Sequence, residues 1–361
     1  MGIRYGIIGA GMMGQEHIRN IRLLDGAEVA AVADPDAGMR AAARLAAGTG
    51  AQAFEDWRAM VTADLCDAYV IASPNDTHHP LLLGLLPANK PVLVEKPLCT
   101  TAADCRAVIA AAAGRTAPVW VAMEYRYMPA VARLLDEVAQ GTAGTPRMIA
   151  IREHRFPFLP KVGHWNRFAA RSGGTLIEKC CHFWDLMRLA MGSDPVRVYA
   201  SGGMDENFLN ERYDGRVPDI LDNAFVTVDF ASGARGMLDL CMFAEGSEWQ
   251  EVISVTGPRA RLDAMVPGPA RFAAAGARHA SRFVVSDRAS RTARHEEIEV
   301  DPAIMAAGDH HGSTFFQHQR FHDLVRRGHG TPEVTLEDGL WAVMVGEAAE
   351  ASARLHQPVE L

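Results

Sequence analysis

From Arg4 to Ala122 the chain alternates short, nearly continuous apolar runs with Ala-rich stretches of helical period. That is the pattern of a parallel sheet covered on both faces by crossover helices. The runs Arg4 to Ile8, Glu28 to Ala33, Ala68 to Ala72, Pro91 to Glu95 and Val119 to Ala122 predict strands. Met12 to Leu24, Pro35 to Ala47, His79 to Leu86 and Thr101 to Ala113 predict the helices between them. Residues 1–122 are therefore expected to form a doubly wound, Rossmann-type α/β domain.

After Pro129 the rhythm changes. A helix through Val138 leads to a strand at Arg147 to His154 and then to a loop rich in Pro, Arg and aromatics. Thr175 to Met191, behind Gly173-Gly174, predicts a single helix. Val196 to Ala200, Asn223 to Phe230, Gly236 to Phe243 and Glu251 to Thr256 predict successive strands, with Ser232-Gly233 as a hairpin turn. Residues 123–361 thus read as a second α/β domain with a large, mostly antiparallel open sheet, closed by helices at Phe315 to Arg327 and Leu336 to Leu355. The stretch from Pro267 to Ala293, biased toward Ala, Arg, Gly and Pro, predicts a loop or flap.

Composition narrows the classes. A length of 361 residues supports two cores, and a net charge of -8 argues against a general nucleic-acid binder. No apolar run is long enough for a membrane span, and the first residues enter a strand with no signal-peptide pattern, so a soluble cytoplasmic protein is expected. Cys66, Cys99, Cys105, Cys180, Cys181 and Cys241 have neither metal-finger nor disulfide-framework spacing and read as reduced thiols.

Gly9-Ala10-Gly11-Met12-Met13-Gly14 is a G-x-G-x-x-G run between a strand and a helix. The first glycine permits the turn, the second admits a pyrophosphate to the backbone and helix N-terminus, and the third lets helix and strand pack. Asp34 ends the next strand, twenty residues past Gly14, where a carboxylate accepts hydrogen bonds from ribose hydroxyls and repels a 2'-phosphate. NAD is the expected cofactor; the alternative is that Asp34 only caps the helix behind it. Ser73, Asn75 and His78, at the carboxyl edge of another strand, are further cofactor-contact candidates, beside helix-cap roles for Asp76 and Thr77.

Glu95-Lys96-Pro97 ends a strand at the same edge. Lys96 would face the nicotinamide, where burial and the cationic ring lower its pKa, and Glu95 could fix it. Pro97 is a candidate cis position. Glu178 and His182, four apart on the predicted helix, share a face: His182 suits proton exchange with a carbinol, and Glu178 can orient it or bind a hydroxyl. The alternatives are a packed helix or a zinc site with Cys181; no metal is expected, because no further ligand cluster is evident.

These residues together resemble the Gfo/Idh/MocA family, named for glucose-fructose oxidoreductase and inositol dehydrogenase. The resemblance runs from the opening glycines through Asp34-Pro35, Ser73-Pro74-Asn75, Glu95-Lys96-Pro97 and Gly173-Gly174 to the last Ala-rich helix. It implies a catalytic trio of Lys96, Glu178 and His182 and a homodimer or homotetramer built through the second sheet. Glu178 stands where the family usually has Asp, and Lys179-Cys180-Cys181 replaces the usual small residues. The substrate implied is a sugar or polyol.

From Arg147 to His182 the basic residues Arg147, Arg152, Arg155, Lys161, Arg167, Arg171 and Lys179 face only two acids, Glu153 and Glu178. An anionic substrate group held by Lys161, His164, Arg167 or Lys179 is one reading, with Trp165 stacked on a sugar face; a solvated loop or interface is the other. Tyr125 and Arg126, just past the last strand of the first unit, complete the substrate-contact candidates. Some relatives oxidise a glycoside transiently and eliminate its substituent, so an oxidoreductive glycoside hydrolase is a second possibility, with Tyr125, Tyr127, Lys179, His310 or His311 as the extra acid or base. A non-catalytic NAD-binding sensor is a third, against which Lys96 and His182 speak.

Overall fold

The computed structural model describes residues 2–48, 50–272 and 280–361. Six parallel strands, β1 (Ile3–Ile8), β2 (Ala27–Ala33), β3 (Gln52–Phe54), β4 (Ala68–Ile71), β5 (Val92–Val94) and β6 (Val119–Val121), form one sheet in the order β3-β2-β1-β4-β5-β6. Helices α1 (Met12–Ile21), α2 (Ala37–Ala47), α3 (Trp57–Thr62), α4 (His78–Leu85) and α5 (Ala102–Ala112) connect them. The order reverses between β1 and β4, which opens a crevice at their carboxyl ends. β3 and α3 are additions to the sequence reading; three residues and six residues are too short to show a period.

Beyond α6 (Pro129–Ala139) lies a nine-stranded sheet. Its strands are β7 (Met148–His154), β8 (Pro195–Gly203), β9 (Asn223–Phe230), β10 (Arg235–Cys241), β11 (Glu251–Thr256), β12 (Ala260–Val266), β13 (Ser281–Asp287), β14 (Thr292–Ile298) and β15 (Val359–Glu360). Their order is β14-β13-β12-β11-β7-β10-β9-β8-β15, antiparallel except where β10 runs parallel to β7. The segment expected to be a loop between Pro267 and Ala293 instead contributes β13 and enters β14; of its residues, 273–279 lie outside the described ones. Its period was masked by the flanking Ala and Arg bias.

Between these strands lie α7 (Ala169–Ser172), α8 (Thr175–Glu178), α9 (Cys181–Met191), α10 (Pro302–Ala307), α11 (Ser313–Arg327) and α12 (Leu336–Leu355). One sheet face, including Ile149, Ile151, Val198, Val226, Val228 and Leu238, is buried beneath helices such as α9 and α12. The other face leaves Phe225 64%, Met148 56%, Met237 43% and Tyr199 42% exposed.

The helix expected from Thr175 to Met191 is broken between Glu178 and Cys181. Carbonyl oxygens that would serve the next turn are diverted: the Trp184 indole donates to Leu176 O (2.7 Å), and the Lys96 ammonium donates to Glu178 O (2.9 Å). Late in the chain, α11 returns to the first sheet and packs against α1 and β1. There Phe321 sits 6.4 Å from the Tyr5 ring and 6.1 Å from Trp120, and the Tyr5 hydroxyl lies 3.1 Å from His322 Nδ1.

Candidate active site

The carboxyl ends of β1, β2, β4 and β5 open into a cavity of about 760 Å³ that continues beneath the second sheet. At its first-domain end the three glycines divide their roles. A Cβ on Gly9 would lie 2.6 Å from Ala72 backbone atoms, and one on Gly14 would lie 2.1 Å from Gly9 O. A Cβ on Gly11 would meet nothing within 4 Å, so the free space in the loop is on the cavity side. Gly11 also begins α1 without any side-chain cap, leaving first-turn N–H groups available to an anion.

Asp34 lines this cavity, its carboxylate fixed by Ala10 N and Asp36 N, each at 2.8 Å. The helix cap is Asp36, which accepts from Met39 N at 2.8 Å. Asp34 is thereby relieved of the capping role. Met12, Met13, Ser73, Asn75, Glu95 and Lys96 also line the cavity. His78 does not: it is buried with its ring nitrogens 2.8 Å from Pro97 O and 3.1 Å from Ser73 O. It braces the loops that carry the lining. The donor set and the space in the loop fit a dinucleotide.

Lys96, Glu178 and His182 meet in the same cavity. The Lys96–Pro97 peptide is cis. Lys96 Nζ lies 3.7 Å from Glu178 Oε2, and Lys161 Nζ lies 3.9 Å from Glu178 Oε1. The carboxylate, a methylene longer than Asp, spans two lysines. Burial, the largest single effect, would lower the Lys96 pKa as the sequence reading expected, but the charges of Glu178, Cys181, Glu95 and Glu124 together outweigh it and hold the lysine above its ordinary range, as an ammonium. Burial likewise depresses Lys161, aided by the Lys96 charge, despite Glu178.

His182 is 2% exposed, and its Nδ1 is buried with no hydrogen-bond partner. Its plane is set by a stack on Tyr125, with ring centroids 4.0 Å apart and planes 8° from parallel. Burial, then the charges of Lys96 and Lys179, push its pKa well below the usual histidine range, so the ring is neutral.

Tyr125, Lys161, Trp165 and Lys179 line the cavity; Arg126, His164 and Arg167 do not. Arg126 is bound to Asp185 (Nε–Oδ2 2.6 Å) and tethers α9. Arg167 pairs with Glu211 at 2.8 Å and covers the Phe208 ring, and His164 stacks on Tyr213 at 4.0 Å. Sequence counting could not separate basic residues facing the cavity from those tied to a neighbouring acid.

Several lining residues escaped the sequence reading. Arg155 is the most legible omission, since it falls within the basic run already noted. Glu16 and Glu124 come from distant segments and converge on His310 Nδ1 at 2.8 and 3.5 Å. Against the cost of burial, these two carboxylates raise His310 to about 9. His310 and His311 line the cavity too, whereas Tyr127 packs against Trp120 with its hydroxyl 3.2 Å from Glu333 Oε2.

Two family models match the chain: the Gfo/Idh/MocA oxidoreductase family, NAD-binding Rossmann fold, over residues 3–123, and its C-terminal α/β domain over residues 136–361. A myo-inositol 2-dehydrogenase of Thermotoga maritima is 25% identical over 359 residues, covering 99% of this chain and 98% of that protein. The rhizopine catabolism protein MocA of Rhizobium meliloti is 28% identical over 257 residues, covering 70% of this chain and 76% of that one. The crystal structure of an oxidoreductase domain protein from Kribbella flavida superposes with a TM-score of 0.83 at 23% identity, covering 100% of this chain and 99% of that one.

Proposed function

The chain belongs to the Gfo/Idh/MocA family of NAD-binding oxidoreductases, and from that premise we propose that it moves hydride between NAD and the carbinol of a sugar or polyol, with Lys96, Glu178 and His182 at the reacting carbon. The observation that carries this reading is the convergence of that trio and the glycine loop on one cavity. NAD, when bound, supplies the hydride acceptor or donor. Gly9, Gly11, Gly14 and the start of α1 would hold its pyrophosphate, and Asp34 its adenosine ribose.

The side chains then divide the proton work. The Lys96 ammonium hydrogen-bonds the substrate oxygen and stabilises negative charge on it as the carbinol proton leaves. His182, neutral and with Nδ1 enclosed, meets the substrate through Nε2 and takes that proton; in reduction the proton travels back. Glu178 keeps Lys96 charged and correctly placed. Replacing Lys96 with Met should lower kcat by at least about 100-fold while NAD still binds, since positioned proton and charge stabilisation is commonly worth that much. Unchanged NADH formation by Lys96→Met, with a polyol that the wild type oxidises, would overturn the assignment.

The substrate class follows from what remains charged in the cavity. Lys161 and Arg155 favour a substrate bearing a carboxylate, sulfonate or phosphate, with Trp165 beneath Lys161 at 4.9 Å as a stacking surface. Comparing kcat/KM for sugar acids and their neutral parents tests it: equal values remove the anionic group from recognition. A second reading, oxidoreductive glycoside hydrolysis, is favoured by the additional polar cluster of Lys179, Tyr125 and Glu251 on the same cavity wall. It requires aglycone release without net NADH. The exposed row Met148, Tyr199, Phe225 and Met237 supports self-association through the open sheet face, which light scattering of the purified protein would measure.

A further inference from the structure

The trio above leaves a second group of ionisable side chains unused. Tyr125, from the turn after β6, donates its hydroxyl to Glu251 Oε1 of β11 at 3.2 Å and accepts from the ammonium of Lys179, which sits in the break between α8 and α9. Lys179 pairs at 2.9 Å with Glu153 Oε1 of β7. Glu153 and Glu251 are directly opposite in the β7–β11 ladder, so two buried carboxylates share the Lys179 ammonium and the Arg155 guanidinium, which lies 3.4 Å from Glu153 Oε1. One oxygen of each carboxylate, Glu153 Oε2 and Glu251 Oε2, is buried with no hydrogen-bond partner. Tyr125, Lys179 and Glu251 all line the cavity.

We propose that Lys179, Tyr125 and Glu251 form a second proton-delivery station, serving a substrate oxygen other than the one at the hydride carbon. The proposal rests on the placement of Lys96 and His182 at that carbon. Its steps balance without any co-reactant: Lys179 Nζ gives a proton to the substrate oxygen, the Tyr125 hydroxyl then turns from Glu251 toward the neutral amine and passes its proton to Lys179, and a proton held on Glu251 Oε1 passes to Tyr125 Oη. The net change is one proton from the Glu251 carboxyl to substrate, and solvent restores it after product leaves.

The electrostatic surroundings favour this direction of flow. Burial, then the facing Glu153 charge, raises Glu251 to about 7, against the pull of Lys179, the Gln250 amide and Arg155. Lys179 is lowered, chiefly by burial and the Arg155 charge, despite Glu153 and Glu251. Near neutrality the store is therefore partly filled and the donor is more acidic than a lysine in water. The cluster is also faced by His182, stacked on Tyr125, by His310, whose ring centroid is 6.5 Å from that of Tyr125, by the Glu124 carboxyl and by the Cys180 thiol.

The test is difference infrared spectroscopy of the NAD-loaded enzyme across neutral pH. Wild type should show a carboxylic-acid C=O band titrating at about 7. Glu251→Gln should remove its share of that band and leave the share of Glu350, which burial also raises to about 7. Tyr125→Phe and Lys179→Met should each move the midpoint of the Glu251 share upward, since each removes a group that favours the carboxylate. A wild-type band that Glu251→Gln leaves undiminished overturns the proposal, and so does a midpoint for the Glu251 share that Tyr125→Phe leaves in place. Should Glu251→Gln or Lys179→Met fail to fold, the Tyr125→Phe midpoint decides alone, because Phe keeps the stack on His182. The infrared signal needs no turnover, so its absence is distinguishable from failure of the hydride-transfer reading, which appears as missing NADH.

Discussion

Replacing Glu178 with glutamine removes a single negative charge from between two lysines while nearly preserving shape. At the 3.7 and 3.9 Å separations to Lys96 and Lys161, a unit charge pair is worth about 4 kcal/mol at an effective dielectric of about 20. At about 1.4 kcal/mol per pKa unit, loss of the Glu178 charge lowers Lys96 by up to about three units. Glu95 and Glu124 still act on Lys96, so the expected fall is between about one and three units. Lys96 stabilises the charge on the substrate oxygen only while it is itself an ammonium. Carbonyl reduction by Glu178→Gln should therefore lose its alkaline limb about one to three pH units below wild type. Glu178→Asp, too short to reach both lysines, should fall between the two. The assay is the initial rate of NADH consumption against pH, using the ketone made from whichever polyol the wild type oxidises. An alkaline limb shared by wild type and Glu178→Gln would refute the electrostatic account of Lys96.

Two further substitutions probe the first domain. Gly14→Ala should weaken NAD binding at least tenfold and lower the melting temperature, because the new Cβ would stand 2.1 Å from Gly9 O, and two backbone segments must separate; calorimetric NAD affinity equal to wild type would contradict this. Glu95→Gln bears on acid stability. Burial opposes ionisation of Glu95, but the 2.8 Å contact with His17 and the Lys96 charge bring it down to about 2. A folded pKa below the unfolded value gives stability that is fully present above about 4.3 and fades as pH falls toward 2, on the order of 3 kcal/mol in all. Glu95→Gln should flatten the urea midpoint across that acid window, and a midpoint falling as steeply as in wild type would remove Glu95 from the acid transition.

The first sheet was legible because its main strands are continuous apolar runs, two of which lead directly to the polar candidates Asp34 and Glu95-Lys96. Long-range repacking hid other features. The break after Glu178 depends on Lys96 and Trp184 taking carbonyls from a segment whose own period is helical throughout. Basic residues were visible as a cluster, yet only pairing partners far along the chain, such as Glu211 for Arg167, decide which of them face the cavity. The Glu16–His310–Glu124 contact joins three segments with no shared motif, and nothing local marks it.

The return of α11 to the first sheet has a consequence for how this protein can be divided. Tyr5 and Trp120 have their aromatic neighbour Phe321 in a segment made some two hundred residues after the sheet is complete. A fragment cut just past β6 would bare those rings and strip His17 of its 2.7 Å partner His318. The nucleotide-binding half is thus a lobe finished by a segment made much later, and during synthesis its flank stays open until α11 has emerged.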